Sequence, residues 1–150
     1  MTYNHTQKGR LRGFILLALI LLFAFILLST GFEPMAFATM LLVVIIVISF
    51  TTLNVTIDEN YFRIKFGYGI FRKKFLLDEI ISTKTVKNHW YYGWGIRLWL
   101  WPKMWILNVS GFDAVEIKMK NNKIYRIGTD EQKELERAIS ESANLKIAEF

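Results

Sequence analysis

The side chains with the chemistry of acids, bases or metal ligands are the natural starting point. His5 lies in a polar N-terminal segment and His89 in a loop just before a run of tryptophans. Neither has a second histidine at ligand spacing, and a lone loop histidine is ordinarily solvated. Asp58-Glu59, Asp78-Glu79 and Asp130-Glu131 are adjacent carboxylates at a turn, a strand entry and a helix start, where each has a structural reason to stand. General acid–base work needs carboxyls that face each other across a cleft rather than neighbours in sequence. The chain has no cysteine, which removes disulfides, thiolate nucleophiles and Cys-ligated zinc together. No catalytic, cofactor-binding or metal-ligating residue is assigned, and a non-enzymatic protein is expected.

Two glycine motifs invite a sharper reading and lose it on context. Gly67-Tyr68-Gly69 is similar to a potassium-channel filter, but it follows both apolar segments instead of lying between them, so a glycine turn fits better. Tyr91-Tyr92-Gly93-Trp94-Gly95 contains a Gly-x-Gly without the third glycine or a following helix, which argues for a bend rather than a dinucleotide site.

The concentration of aromatic residues is the feature closest to function. All five tryptophans fall between Trp90 and Trp105, with Tyr91 and Tyr92 among them and Lys87, Arg97 and Lys103 beside them. Tryptophan and tyrosine favour the headgroup layer of a bilayer, where one end of the ring is dry and the other wet. Along one strand, Trp99 and Trp101 share a face while Ile96, Leu98 and Leu100 share the other. With both faces apolar, something besides water must cover at least one. Trp90, Tyr91, Tyr92, Trp94, Arg97, Trp99, Trp101, Lys103 and Trp105 are therefore the candidate contact residues, for membrane or for a partner. Packing into a domain core is the alternative.

Those residues are positioned by two larger units. Phe14 to Leu28 has Leu, Ile or Phe at thirteen of its fifteen positions, and the apolar stretch from Gly13 to Phe32 is twenty residues long. That is about 30 Å of helix, the thickness of a bilayer's hydrocarbon. A second apolar run spans 35–53, separated from the first by Gly31-Phe32-Glu33-Pro34. A transmembrane hairpin over 13–53 is expected, with helices over about 13–32 and 35–53. Residues 1–12 read as a cytoplasmic tail whose Lys8, Arg10 and Arg12 could be a signal peptide's basic region, but no A-x-A-like site follows. Basic residues flank both outer ends of the hairpin and the turn carries only Glu33, so the positive-inside rule places both termini in the cytoplasm. Within the spans the polar side chains are hydroxyls, which leaves no proton relay or ion path.

After the hairpin the hydrophobic period changes to two. Leu53, Val55 and Ile57 alternate with polar residues, Asp58-Glu59-Asn60 makes a turn, and Phe62, Ile64 and Phe66 resume. Further strands are predicted over 71–76, 80–86, 95–100, 105–109, 114–119 and 123–127, the last two joined by Asn121-Asn122. A helix over about 130–143 follows, with Thr129 as N-cap, Gln132 completing a capping box, and Leu135, Ala138 and Ile139 on one face. From Arg63 to Lys123 there are twelve Lys or Arg against four Asp or Glu, a local charge of +8. For a domain tethered over residues 54–150, anionic lipid headgroups are a nearer partner than nucleic acid, and none of the latter is expected.

The order of these features resembles the bacterial pleckstrin-homology-like family, in its small two-helix membrane members. The resemblance rests on TLNVTIDENYFRIKFG directly after the helices, on FLLDEIISTKTV, and on YYGWGIR with AVEIKMKNNKIYRIGTDEQKELERAI. It implies a pleckstrin-type β-barrel or sandwich of seven or eight antiparallel strands closed by a C-terminal amphipathic helix, and no enzymatic activity. It brings no ligand, and no phosphoinositide motif matches residue by residue. The expectation is a membrane-tethered interaction module of a bacterial plasma membrane that contacts lipid headgroups, itself or a membrane-protein partner, with an accessory subunit of a transport or envelope-biogenesis complex as the alternative.

Overall fold

The computed structural model describes residues 2–10 and 12–145, so the end of the predicted domain, 146–150, lies outside the described residues. The chain opens with a strand, β1 (Tyr3–Lys8), followed by α1 (Arg12–Thr30) and α2 (Pro34–Ser49). Helix α1 is long and apolar enough to cross a membrane, whereas α2 is shorter at 16 residues. The second segment was expected to run to 53, but the helix stops four residues earlier because Thr52 already belongs to a strand that buries Leu53. Gly31, at φ +75°, turns the chain between the helices, and the Phe23 and Phe37 rings meet 5.8 Å apart across the pair. Hydroxyls within the helices are satisfied by their own backbone. Ser29 donates to the Phe25 carbonyl at 2.8 Å, Thr39 to Met35 at 2.9 Å and Ser49 to Ile45 at 2.8 Å.

The rest of the chain builds two sheets. The first, in the order β1-β2-β3-β4, adds β2 (Thr52–Ile57), β3 (Tyr61–Phe66) and β4 (Phe71–Leu76), all antiparallel. The second holds β5 (Ile80–Lys87), β6 (Gly95–Leu100), β7 (Lys103–Asn108), β8 (Asp113–Met119) and β9 (Ile124–Gly128), in the order β5-β8-β9-β7-β6. The eight predicted strands are all present, and Asn122 takes the positive φ of 61° expected of its turn.

The segment read as a polar tail is a strand, so the described residues hold nine strands rather than seven or eight. The sheets are open at their edges and do not close into a barrel. One pairing is parallel: β9 inserts between β7 and β8, and because it is antiparallel to β8 it runs with β7. The tight Asn108–Phe112 reversal that joins β7 to β8 forces this arrangement, since a strand placed between them must be parallel to one of the two.

The period-two pattern explains the main core. Leu53, Val55 and Ile57 of β2 and Phe62, Ile64 and Phe66 of β3 are buried against Val115, Ile117 and Ile127 of the second sheet. Full burial of a side chain of this size contributes about 1.5–3 kcal/mol. Helix α3 (Gln132–Ser142) joins the same core through Leu135, Ala138 and Ile139, packing mainly on β5 and β8. The predicted capping box does not form, because the helix starts at Gln132 with Glu131 as its N-cap. The Thr129 hydroxyl accepts from the Glu131 amide at 3.1 Å, and the Gln132 amide donates instead to the Val86 and Ala114 carbonyls at 2.6 and 2.8 Å.

The sheets cross rather than align, which decides where the aromatic strand lies. Along β1, Tyr3 and His5 meet Glu131 and Asp130 just beyond β9, and Gln7 donates to the Ser110 carbonyl just beyond β7 at 3.0 Å. Gly9 then lies beside the Val109 carbonyl and shares a cleft with Gly95 and Ile96 of β6. The opposite edge repeats the order: Phe75 of β4 meets Tyr125 of β9 edge to face, while Phe71 to Lys73 border Trp105 and Leu107 of β7. Moving along the first sheet toward the helices thus passes β9, then β7, then β6. Strand β6 is the edge of the second sheet nearest the ends of α1 and α2.

Candidate functional site

The candidate residues occupy β6, the β6–β7 hairpin and the connection that precedes them. That connection, from Asn88 to Trp94, contains a 3-10 turn over Trp90–Tyr92 and leads from β5, the far edge of the sheet, to β6. Tyr92 is buried at 6 % exposure and joins Met104 and Ile106 in a second, smaller core, with Trp99 and Ile124 packed at its margin. The Tyr92 and Trp99 rings lie 4.8 Å apart, and the Arg126 guanidinium stands 5.8 Å from the Tyr92 ring centroid. The Trp99 indole donates to the Trp101 carbonyl at 2.9 Å. These two aromatics are therefore part of the packing that holds the hairpin.

The other aromatics are more exposed. Trp90 is 79 % and Trp101 91 % exposed, and Tyr91, Trp94 and Trp105 are also exposed. On the face toward the first sheet, Leu98 pairs with Trp105, which β4 borders on its other side, while Leu100 is 73 % exposed near the hairpin tip. The alternation predicted for β6 is present, and its two faces have different fates. Trp99 turns to the small core and Ile96 to the main one, whereas Leu98, Leu100 and Trp101 remain exposed.

Positive charge accompanies this edge. The Arg97 guanidinium lies against Gly93, and Lys103 shares a shallow cleft with Trp105 and Lys123. Arg97, Lys103 and Lys123 form no ion pair among the described residues. From Gly95, beside the helices, the strand carries this surface roughly 17 Å outward to Leu100. The nine residues do not converge on one point. Trp94 and Arg97 stand near the helices, Trp101, Lys103 and Trp105 at the distal end, and Trp90 and Tyr91 on the outer face.

A second exposed group was missed in the sequence. The β3–β4 turn presents Tyr68 and Ile70, 75 % and 68 % exposed, between Lys65 and Arg72. Gly67, at φ +49°, sits so close to the end of α2 that a Cβ there would collide with the Ser49 carbonyl. Tyr68 lines a cleft with Leu16 and Ile48 of the two helices. The signal was present in an apolar residue on each side of a glycine within a basic stretch, and the turn's proximity to the helices is what gives it meaning.

Neither histidine forms a site of the kind first considered. His5 is half-buried rather than solvated, with Nε2 2.6 Å from Asp130 and Nδ1 3.2 Å from Glu131, and it ties β1 to the start of α3. Beside it, burial first and then the Glu131 carboxylate hold the Tyr3 phenol above its ordinary pKa. His89 stacks on Tyr91 with ring centroids 4.9 Å apart. No three acidic or histidine side chains converge as a metal site among the described residues.

Comparison with known proteins adds no identification. No protein-family model matches this chain, and no characterised protein matches its sequence.

Proposed function

We propose that this chain is a non-enzymatic, pleckstrin-homology-like module held on the cytoplasmic face of a bacterial plasma membrane by a two-helix hairpin, with anionic lipid headgroups as the partner of its β-domain. The single observation that carries the reading is the placement of β6. This strand, which exposes Arg97, Leu98 and Leu100 and is flanked by the exposed Trp94 and Trp101, is the edge of the second sheet next to the helix ends. Two crossed sheets with a C-terminal helix packed on them also accord with the pleckstrin-type resemblance.

In this reading both α1 and α2 span the bilayer. Helix α2 is about 24 Å long and is matched to the hydrocarbon by local thinning. Lys8 and Arg10 before α1, Arg12 at its first position and the basic residues after α2 favour the same side, and Glu33 alone marks the other. Strands of the second sheet then run along the membrane surface, and Leu98, Leu100 and Trp101 supply apolar contact while Arg97 and Lys103 meet lipid phosphates. Each well-placed cation contributes on the order of 1 kcal/mol near an anionic surface.

The test uses the full chain in nanodiscs, because β1 precedes the helices and a fragment beginning at Thr52 would lack an edge strand of the first sheet. Emission is compared between wild type and Trp101→Phe, so that the difference reports Trp101. Lipids brominated near the glycerol should quench that difference more strongly in anionic than in neutral discs. Salt, or Arg97→Ala with Lys103→Ala, should reduce the quenching. Trp101 emission indifferent to lipid charge, salt and bromine would overturn the reading in favour of a protein interface.

A further inference from the structure

The junction between helices and domain contains a cleft of about 440 Å³, within the roughly 300–1,000 Å³ of small-molecule sites. Its helix-side wall is Ile15 of α1 with Ile46, Val47 and Phe50 at the end of α2; its domain-side wall includes Trp94 and Ile96. Among the described lining residues the one hydroxyl, on Thr51, is already engaged with the Ile48 carbonyl at 2.7 Å. Water entering this cleft would find apolar walls and few partners.

We infer that the cleft holds an acyl chain of an anionic phospholipid from the leaflet next to the domain. The inference deepens the proposed function and rests on its reading of α1 and α2 as membrane-embedded. Three observations commit the cleft to lipid. Two of its walls are the terminal turns of apolar helices, about 5 Å above their domain-side ends, so it opens at the depth where acyl chains begin. Trp94, about half exposed at the cleft, is the residue type that favours that boundary. Arginines neighbour the lining in sequence: Arg10 follows Gly9, and Arg97 follows Ile96, with its guanidinium against Gly93. Arg10 and Arg97 make no ion pair among the described residues. An acyl chain in the cleft would bring its phosphate within range of them, and arginine recognises phosphate oxygens in a bidentate fork.

A bound lipid would complete the interface between the two parts of the molecule. Between Ile46 and Ile96 there is open space where a packed junction would have side chains. Filling it would couple the domain's position to the lipid present.

The experiment is native mass spectrometry of the full chain released from nanodiscs of mixed phosphatidylglycerol and phosphatidylcholine into mild detergent. Wild type should retain one phospholipid, enriched in phosphatidylglycerol. Ile46→Trp and Ile15→Trp, which fill the cleft from different walls, should weaken retention roughly tenfold, about 1.4 kcal/mol in affinity. Ile20→Trp, on the exposed side of α1, should retain lipid as wild type does. Arg10→Ala with Arg97→Ala should abolish the preference for phosphatidylglycerol while leaving some lipid bound. Wild type without retained lipid, or filled variants that keep as much as wild type, would overturn the inference. Retention is read with no bilayer present, so it can fail while Trp101 still reports surface contact, and the reverse.

Discussion

Two stretches of the β-domain, Leu53–Phe66 and Gly95–Trp105, use the same device and reach opposite ends. Both alternate side chains at period two, and both are rich in large apolar residues. In the first, every inward residue from Leu53 to Phe66 is sealed between two sheets, and the outward positions are polar or charged. In the second, apolar residues point both ways, and only Ile96, Trp99 and Met104 find cover within the chain. The β6–β7 hairpin projects beyond the first sheet, whose last strand reaches Trp105 and no further along it. Apolar composition alone therefore does not distinguish a core strand from a contact strand. What distinguishes them is whether the chain supplies a second layer, and at β6 the nearest second layer is whatever lies beside α1 and α2.

Substitutions on the sealed side should have the largest effects. Leu135 and Ile139 are fully buried where α3 meets the core, so Leu135→Ala or Ile139→Ala should each cost about 2–5 kcal/mol. Thermal unfolding of the full chain in detergent measures this, and wild-type melting in both variants would mean that α3 is peripheral. A smaller loss is expected at the joint between the two regions of the molecule. Gly67→Ala must place a side chain in the left-handed region and against the Ser49 carbonyl, at a cost of at least about 1–2 kcal/mol. Unchanged stability would show that the β3–β4 turn is free to leave the end of α2.

The contact side should behave in the opposite way. Leu100→Ala and Trp101→Ala remove exposed side chains and should alter stability by no more than about 0.5 kcal/mol. They should nevertheless lower the affinity of the domain for the bilayer surface, read as increased proteolytic access to the β6–β7 hairpin in anionic nanodiscs. Strong destabilisation by either would assign the hairpin tip to a packed core and erase the contrast with Leu53–Phe66.

The legible parts of the fold are those with local signals. Eight strands and α3 follow from alternation, turn residues and an amphipathic face, and the apolar helices follow from composition. Strand β1 was not legible because Tyr3-Asn4-His5-Thr6-Gln7-Lys8 has no apolar alternation. It is held by its ladder with β2, and by Gln7 on Ser110 and His5 on Asp130, two partners more than a hundred residues away. The insertion of β9 beside β7 is equally non-local. At the site, the tryptophan cluster announced itself, but nothing in its spacing said that Tyr92 would be buried and Trp101 exposed. That division depends on a connection crossing the outer face of the second sheet, and it became visible only with the sheet order.

The smallest expected effect concerns how β1 is fastened to this arrangement. The Tyr3 phenol donates to Glu131 at 3.3 Å, and burial, with the Glu131 charge second, raises its pKa in the folded chain. A group whose folded pKa is raised adds stability that is fully present below its unfolded value, about 10 for tyrosine, and is lost as pH climbs above it. Tyr3→Phe removes that contribution and leaves Tyr125, also raised by burial, unchanged in both proteins. The stability difference between wild type and Tyr3→Phe should therefore be constant from neutral pH to about pH 9.5 and shrink beyond about pH 10. Denaturation midpoints of the full chain at pH 8 and pH 10.5 give the comparison. A difference that stays the same at both would mean that Tyr3 is solvated in the folded chain, and that β1 is held by its ladder with β2 rather than by the start of α3.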